Sequence, residues 1–573
     1  MSRRTQLLAV ALLALVIRLA YLFQIAHAPF FYLRLGDADA YHQWALRIVA
    51  GDWRGQGVFY QAPLYPYFLA VVYTVVGQGI ATVRFVQAVM GAASCTLLAA
   101  AGIELFGTYG VIAGVLLAIY PPAIFQDGLL DKSALVTLLV CALLYLLSRD
   151  AGSAARRSGS ATASGPHAAR TLSAPRWLAL LAGVVLGLLS LARENSLILA
   201  VPIALWFFYE DKSWQRVAAL LAACAIVLLP VAVHNYAAGG GFAVTTAQFG
   251  PNFYIGNHED ARGLYDPLVE GRGNAADEQA DAAALASRAA GRTLSPAEVS
   301  SYWTGQALAF IRAHPIEWIE QLARKLALTF NADEIVDTES QDVYAEWSSL
   351  LRVLMPLSFG AIFCLAVFGA CLTAKQWPRI WFLHALIAVY TLSVIIFFVF
   401  ARYRLPLVPM LMLFAAGGVA TWRDRAARPM RGWALLALLV AAYVTYRPMV
   451  DTRIDRVAGY VNIANAMLDN EKTWDEAQAF YDKALRESPQ SPAAHFGIGT
   501  LLALKKQPGD AIPHYRIAED GWPGNADIHL NMARALAATG DPGGAMLELQ
   551  EASRLRPDDP TAAAIARALT TKP

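Results

Sequence analysis

Apolar residues along this chain gather into blocks of about twenty, separated by polar connectors, the length an α-helix needs to cross the hydrocarbon core of a bilayer. The blocks lie at 7–26, 81–105, 109–125, 131–148, 177–193, 195–210, 214–234, 351–373, 380–400, 403–421 and 432–447, and they predict about eleven transmembrane helices. A shorter block at 64–77, LYPYFLAVVYTVVG, suits an interfacial or re-entrant helix better than a full crossing. The first block follows Ser2-Arg3-Arg4 and ends at Ala26-His27-Ala28, which fits the small-residue rule for signal cleavage. Its length, its internal Arg18 and the spans that follow it favour a retained helix.

Composition agrees with the pattern. Of 573 residues, 57% are hydrophobic and 16% charged, against about a quarter charged in soluble domains. This excludes a disordered chain and a single soluble enzyme. The net charge of +2, with no run of five basic residues, gives no nucleic-acid footprint, so no nucleic-acid partner is expected. Cys95, Cys141, Cys224, Cys364 and Cys371 all lie inside apolar blocks and read as small hydrophobes.

Charge fixes the expected orientation. If 64–77 does not cross and the N-terminus is cytoplasmic, the basic connectors share one side: Arg149/Arg156/Arg157/Arg170/Arg176, Lys212/Arg216, Lys375/Arg379 and Arg423/Arg425/Arg428/Arg431. Polar regions 27–80, 235–350 and everything after about 448 then lie outside, and the Ser/Gly/Ala-rich stretch 149–176 is a flexible cytoplasmic linker.

The region after 448 carries a period of 34 residues. Ala477, Ala511 and Ala545 recur at that spacing, as do Ala484, Ala518 and Ala552; Leu468, Leu502 and Leu536; and Pro489, Pro523 and Pro557, with Tyr481, Tyr515 and Leu549 following less strictly. These are three tetratricopeptide-like repeats at about 458–491, 492–525 and 526–559, in which small residues let paired helices approach. The tryptophan usual near each repeat start is replaced by Val461, His495 and His529. Stacked repeats present a concave surface, which implies a protein partner.

Chemistry-bearing residues cluster at the outer face. Asp37, Tyr41, Trp44 and Ala45 share one side of a short helix opened by Gly36. A carboxylate there is favoured by the helix dipole and placed to take a proton, although the local pattern alone is met as well by an Asp N-cap. Asp39 completes a DxD spacing that would suit a divalent cation. Arg84 and Gln87 lie within an apolar run, where charge is costly and usually functional, or snorkels to an interface. Asp127, Asp131 and Lys132 form the outer turn before the fourth span, Arg193-Glu194 ends the fifth, and Arg402-Tyr403-Arg404 opens the tenth. Cations from separate helices at one face, Lys132, Arg193, Arg402 and Arg404, would receive a lipid-borne phosphate. In the long loop, Asn252, Tyr254, Asn257 and His258 alternate aromatic with hydrogen-bonding groups, which suits stacking on a sugar ring.

Taken in order, the outer Asp37, the Ala62-Pro63-Leu64-Tyr65-Pro66 segment, Arg84/Gln87, the Leu129-Leu130-Asp131-Lys132 turn, the Gly250-to-Asn257 loop and Arg402-Tyr403-Arg404-Leu405-Pro406 resemble the C-type glycosyltransferases. The nearest group is the bacterial family related to protein O-mannosyltransferases and aminoarabinose transferases, and the resemblance covers about residues 7–425. It implies an all-α polytopic membrane protein: a glycosyltransferase domain at 1–447 with an extracytoplasmic loop domain, and an α-solenoid of about three repeats at 448–573. It also implies a polyprenyl-phosphate sugar donor, inverting transfer at the periplasmic face of a bacterial inner membrane, and Asp37 as the base. The family often has an acidic residue before the fourth span, where this chain offers both Asp131 and Lys132. The acceptor would be a protein, reached through the repeat groove, or an envelope glycan. No cofactor is expected with certainty; Asp39 could hold a divalent cation, which loss of activity with chelator would have to establish. Two other readings compete, a flippase for lipid-linked saccharide and a membrane scaffold built around the repeats.

Overall fold

The structure, a computed structural model, describes residues 1–55, 57–164, 176–557 and 559–570, with side chains described outside 154–164, 211, 275, 276 and 570. Among the described residues every regular element is helical. Each of the eleven apolar blocks is mainly helix, and among the described residues six helical stretches are long and apolar enough to cross a membrane: Arg3–Ile25, Ile80–Ile119, Ser133–Ser153, Trp214–Ala237, Ser349–Leu372 and Ala374–Ile395. The chain is a polytopic membrane protein. The short block forms Leu64–Val75, 12 residues, too short for a perpendicular crossing.

Several helices meet without intervening side chains. A Cβ added to Gly102 would stand 2.1 Å from the Gly110 carbonyl oxygen, and one on Gly369 would stand 1.9 Å from that of Phe414. In lipid, where hydrophobic burial does not drive helices together, such small-residue contacts supply close van der Waals packing.

The N-terminal end of the bundle gathers the basic connectors. Arg3 pairs with Glu104 at 2.7 Å, and Lys375 Nζ donates to the Ala426 carbonyl at 3.1 Å. Arg216 meets Asp150 at 2.6 Å beside Trp206. The opposite end carries helix Asp37–Val49 and the long loop. The stretch expected to be a linker differs from that expectation, because helix Ser133–Ser164 continues well into it. Its Ala-rich sequence lacks proline up to that point, so nothing breaks the helix. The rest of the linker, 165–175, lies outside the described residues, as do the side chains of Arg156, Arg157 and Arg170.

The repeats form helix pairs Thr452–Met467 and Trp474–Glu487, Pro492–Leu504 and Pro508–Gly521, and Ala526–Ala538 and Pro542–Leu555, closed by Pro560–Thr570. The period-34 alanines and Tyr481, Tyr515 and Leu549 are buried, as the spacing predicts. The solenoid rests on the loops at this end: Asn462 Nδ2 donates to the Thr338 carbonyl at 2.9 Å, Lys483 pairs with Glu346 at 2.7 Å, and Asp527 pairs with Arg272 at 2.7 Å. Val343 and Tyr344 share a hydrophobic core with Val457, Tyr460 and Phe480.

Replacing Gly102 with valine is expected to lower the melting temperature of the detergent-solubilised protein by several degrees, an overpacking cost of about 1–3 kcal/mol. A Gly107→Val change one turn later, where a Cβ meets nothing within 4 Å but φ is +65°, tests whether strain rather than crowding is responsible.

Candidate functional site

Asp37 is the first helical residue of Asp37–Val49, and Gly36 before it takes φ +55°. A Cβ on Gly36 would stand 2.6 Å from the Thr338 side chain, so glycine allows the turn and its close approach. The N-cap alternative is not what forms, since Asp37 makes no cap bond to its own helix. Its Oδ1 accepts from Gln61 Nε2 at 2.8 Å and its Oδ2 from Arg402 Nη1 at 3.0 Å.

Arg402 is the hub. The same Nη1 lies 3.1 Å from Asp131 Oδ2, and Nη2 lies 2.6 Å from Asp337 Oδ2. Three carboxylates from three distant segments therefore converge on one guanidinium. Asp131 is held in turn by the Ser133 amide at 2.6 Å. Asp337 belongs to an acidic, irregular strap, residues 331–340, that links helix Pro315–Thr329 to helix Gln341–Ala345. Ala401 N donates to the Ile335 carbonyl at 2.9 Å, which knits the strap to the arginine segment.

Two cavities share the wall made by Asp37, Asp337 and Arg402. One is a cleft open to solvent with about 610 Å³ of free space, lined also by Asp131, Phe125 and Glu334. The other, also open to solvent, has about 630 Å³ of free space, and Tyr41, Tyr60, Gln61, Lys132, Asn252 and Glu278 line it. Glu278, on helix Ala275–Ala290 of the long loop, accepts from Tyr60 at 2.8 Å and Tyr265 at 3.1 Å. Arg193 lies over the Tyr403 ring at 4.8 Å, and its buried Nε and Nη2 have no hydrogen-bond partner among the described residues. Burial, reinforced by Asp37 and Asp131, keeps the Tyr41 phenol protonated, and its hydroxyl is unpartnered among the described residues.

Of the residues singled out from sequence, Asp37, Tyr41, Lys132, Asn252 and Arg402 line one cavity, with Arg193 against its Tyr403 wall. Six others are elsewhere. Arg404 is buried and donates to the carbonyls of Leu328, Asn331 and Asp333 and to Glu334, so it anchors the start of the strap instead of facing a ligand. Asn257 is likewise consumed, donating to the Phe253 and Ile396 carbonyls and accepting from Trp318 and Lys325. Tyr254 stacks on His258 and packs against Trp303. Arg84 lies over the Phe31 ring at 4.2 Å. Asp39 is exposed and 3.9 Å from Arg34; residues at i and i+2 of a helix point apart, so Asp37 and Asp39 do not converge on a cation.

Asp337, Glu278, Tyr60 and Gln61 were not singled out from sequence. The one available signal was the density of acids in Asn331-Ala332-Asp333-Glu334-Ile335-Val336-Asp337-Thr338-Glu339 just before a span. Burial pushes several of these groups up: Glu339 to about 7 despite its Tyr344 hydrogen bond and Arg84, and Asp337 upward despite Arg402. Asp455 of the first repeat, facing the same strap, is pushed by burial to about 7.

Residues 60–159 match the family model described as dolichyl-phosphate-mannose-protein mannosyltransferase, and residues 461–526 and 502–569 each match a tetratricopeptide repeat model. The first match includes Lys132 and Asp131 but not Asp37 or Arg402, and it is narrower than the 7–425 suggested by the motifs. No curated protein matches the chain. Among solved structures, the Archaeoglobus fulgidus oligosaccharyltransferase tethered with an acceptor peptide is similar at 15% identity and a TM-score of 0.43, covering 83% of this chain and 58% of its own. ArnT from Cupriavidus metallidurans bound to undecaprenyl phosphate is similar at 13% identity and a TM-score of 0.40, covering 98% of this chain and 77% of its own. The chain thus spans a little over half the length of the archaeal protein.

A carboxyl with a raised folded-state value binds its proton more tightly folded than unfolded. Its stabilisation is complete below the ordinary carboxyl range and is lost as pH rises through the raised value. The melting temperature is therefore expected to fall as pH rises from 5 to 8. A Glu339→Gln, Asp455→Asn double variant, in which both groups stay neutral, should flatten that slope; an unchanged slope by differential scanning fluorimetry would refute the assignment.

Proposed function

We propose that this chain is a glycosyltransferase that moves a sugar from a polyprenyl-phosphate-linked donor to an acceptor hydroxyl at the periplasmic face of a bacterial inner membrane. The observation that carries this reading is the placement of Asp37: a carboxylate at a helix N-terminus, on the wall between two cavities, held by Arg402 within reach of Lys132 and Arg193. The match of residues 60–159 to a mannosyltransferase model supports the reaction class.

In this reading the acceptor oxygen attacks the anomeric carbon while Asp37 takes its proton. The bond from that carbon to the phosphate oxygen breaks, and the polyprenyl phosphate leaves. A phosphate leaves without protonation, so no acid partner is needed, in contrast to the two-carboxylate glycosidases. Lys132 and Arg193 bring positive charge and free N–H donors to the place where phosphate charge develops. Tyr60, Gln61, Asn252 and Glu278 offer hydrogen bonds for sugar hydroxyls. Arg402, already committed to three carboxylates, positions Asp37; it is not the phosphate receptor that the spacing of cations suggested.

Orientation follows from charge. The basic connectors at the Arg3 end belong in the cytoplasm, which puts Asp37, the long loop and the repeats outside. A protein acceptor is favoured because the repeats rest directly on the strap that carries Asp337.

The test uses purified protein, radiolabelled polyprenyl-phosphate sugars and envelope extract. Asp37→Asn should lower transfer at least about 100-fold while donor binding persists. Near-normal transfer by this variant would remove Asp37 from the role of base, and absence of transfer by wild type from every donor would return the flippase and scaffold readings.

Orientation is checked separately in a cysteine-free background. Glu259→Cys and Asp510→Cys should react with a membrane-impermeant maleimide in cells whose outer membrane has been permeabilised. Arg425→Cys should react only after the inner membrane is opened.

A further inference from the structure

The buried histidines that replace the expected tryptophan in the repeats have no part in the transfer chemistry. In the 34-residue register, Val461, His495 and His529 are equivalent, and all three are buried. Their partners on the second helix of each repeat are Phe480, His514 and Glu548, again 34 apart. The first repeat closes this position with apolar groups. In the second, His495 Nδ1 lies 2.9 Å from His514 Nδ1, and its Nε2 lies 3.0 Å from the Pro489 carbonyl. In the third, His529 Nδ1 lies 2.8 Å from Glu548 Oε2 and 3.9 Å from Glu519 Oε1. Glu519 comes from the preceding repeat, where the first repeat has Leu485.

Each polar change at one of these positions is therefore matched by a polar change opposite it, which a generic repeat core does not require. We propose that His529, Glu519 and Glu548 form a binding site for a divalent transition-metal ion that braces the second and third repeats together.

One atom from each of the three residues lies within 4.8 Å of the others, so modest side-chain rotation brings all three to about 2 Å from a common centre. The donors come from three helices, Pro508–Gly521, Ala526–Ala538 and Pro542–Leu555. One imidazole and two carboxylates make a set suited to zinc or manganese, with net charge −2 when the imidazole is neutral. His529 is 3% exposed, whereas Glu519 and Glu548 are 35% and 21% exposed. The site is thus rigid on its inner side and open on its outer side, where water completes the coordination. Binding exchanges the ion for any proton on His529 Nδ1, so affinity falls as pH drops.

The test uses the full-length protein in detergent, stripped with chelator and titrated with zinc chloride by calorimetry, with bound zinc also quantified after desalting. One equivalent per chain is expected, with micromolar or tighter affinity and a higher melting temperature. Glu519→Gln and Glu548→Gln keep side-chain size and hydrogen bonding, and each should weaken binding at least tenfold without changing the metal-free melting temperature by more than a degree or two. His514→Gln should leave binding intact. No zinc bound by wild type, or unchanged binding in both glutamine variants, would overturn the proposal. Loss in His514→Gln with retention in the glutamine variants would also overturn it, by assigning the ion to the neighbouring histidine pair.

Discussion

One guanidinium holds the loop-bearing end of this molecule together. Arg402 lies within 3.1 Å of carboxylates from Asp37, Asp131 and Asp337, segments separated by about 90 to 300 residues in the chain. Three anions around one cation leave an excess of negative charge in a setting where water is scarce. The arrangement holds because Asp131 receives further hydrogen bonds from Ser133, because Lys132 stands beside Asp131, and because Arg193 stands near Asp337. Removing the cation would leave three carboxylates without their counter-charge, the circumstance in which a broken buried pair costs about 3–5 kcal/mol. The position of Asp37 is thus a property of the whole knot and not of its own helix.

Arg404, two residues on, performs a different task with the same chemistry. Its donors go to main-chain carbonyls at the beginning of the strap, while Arg402 grips the strap at Asp337. Successive arginines therefore fix one irregular segment at two points. The repeats add a third, through Asn462 and the Thr338 carbonyl. An irregular segment beside a membrane gains its order from such side-chain anchors because it has no ladder of its own.

What could be read from the sequence follows from what has a period. Spanning helices were legible because the bilayer imposes a length, and the repeats because stacking imposes a spacing. Asp37 was legible because its neighbours Tyr41 and Ala45 mark one buried helical face. Asp337, Glu278 and Tyr60 were not, since they lie in irregular or distant segments whose meeting is set by tertiary contacts alone. Arg404 and Asn257 illustrate a related limit of local pattern: a polar group bound to backbone and one facing a ligand look alike in sequence. Arg402 lines both cavities, but its three carboxylate partners are invisible to local spacing.

The docking of the first repeat on the strap bears on how truncated chains behave. Cutting near residue 448 would not produce a lighter version of the same molecule. It would uncover Val343 and Tyr344, release the Thr338 carbonyl and unclamp the segment that forms one wall of both cavities. A shortened chain that lost activity would say nothing about whether the solenoid recruits an acceptor, because the cleft itself would have been altered. Separating recruitment from architecture requires changes on the concave face of the second and third repeats, with the first repeat left in place.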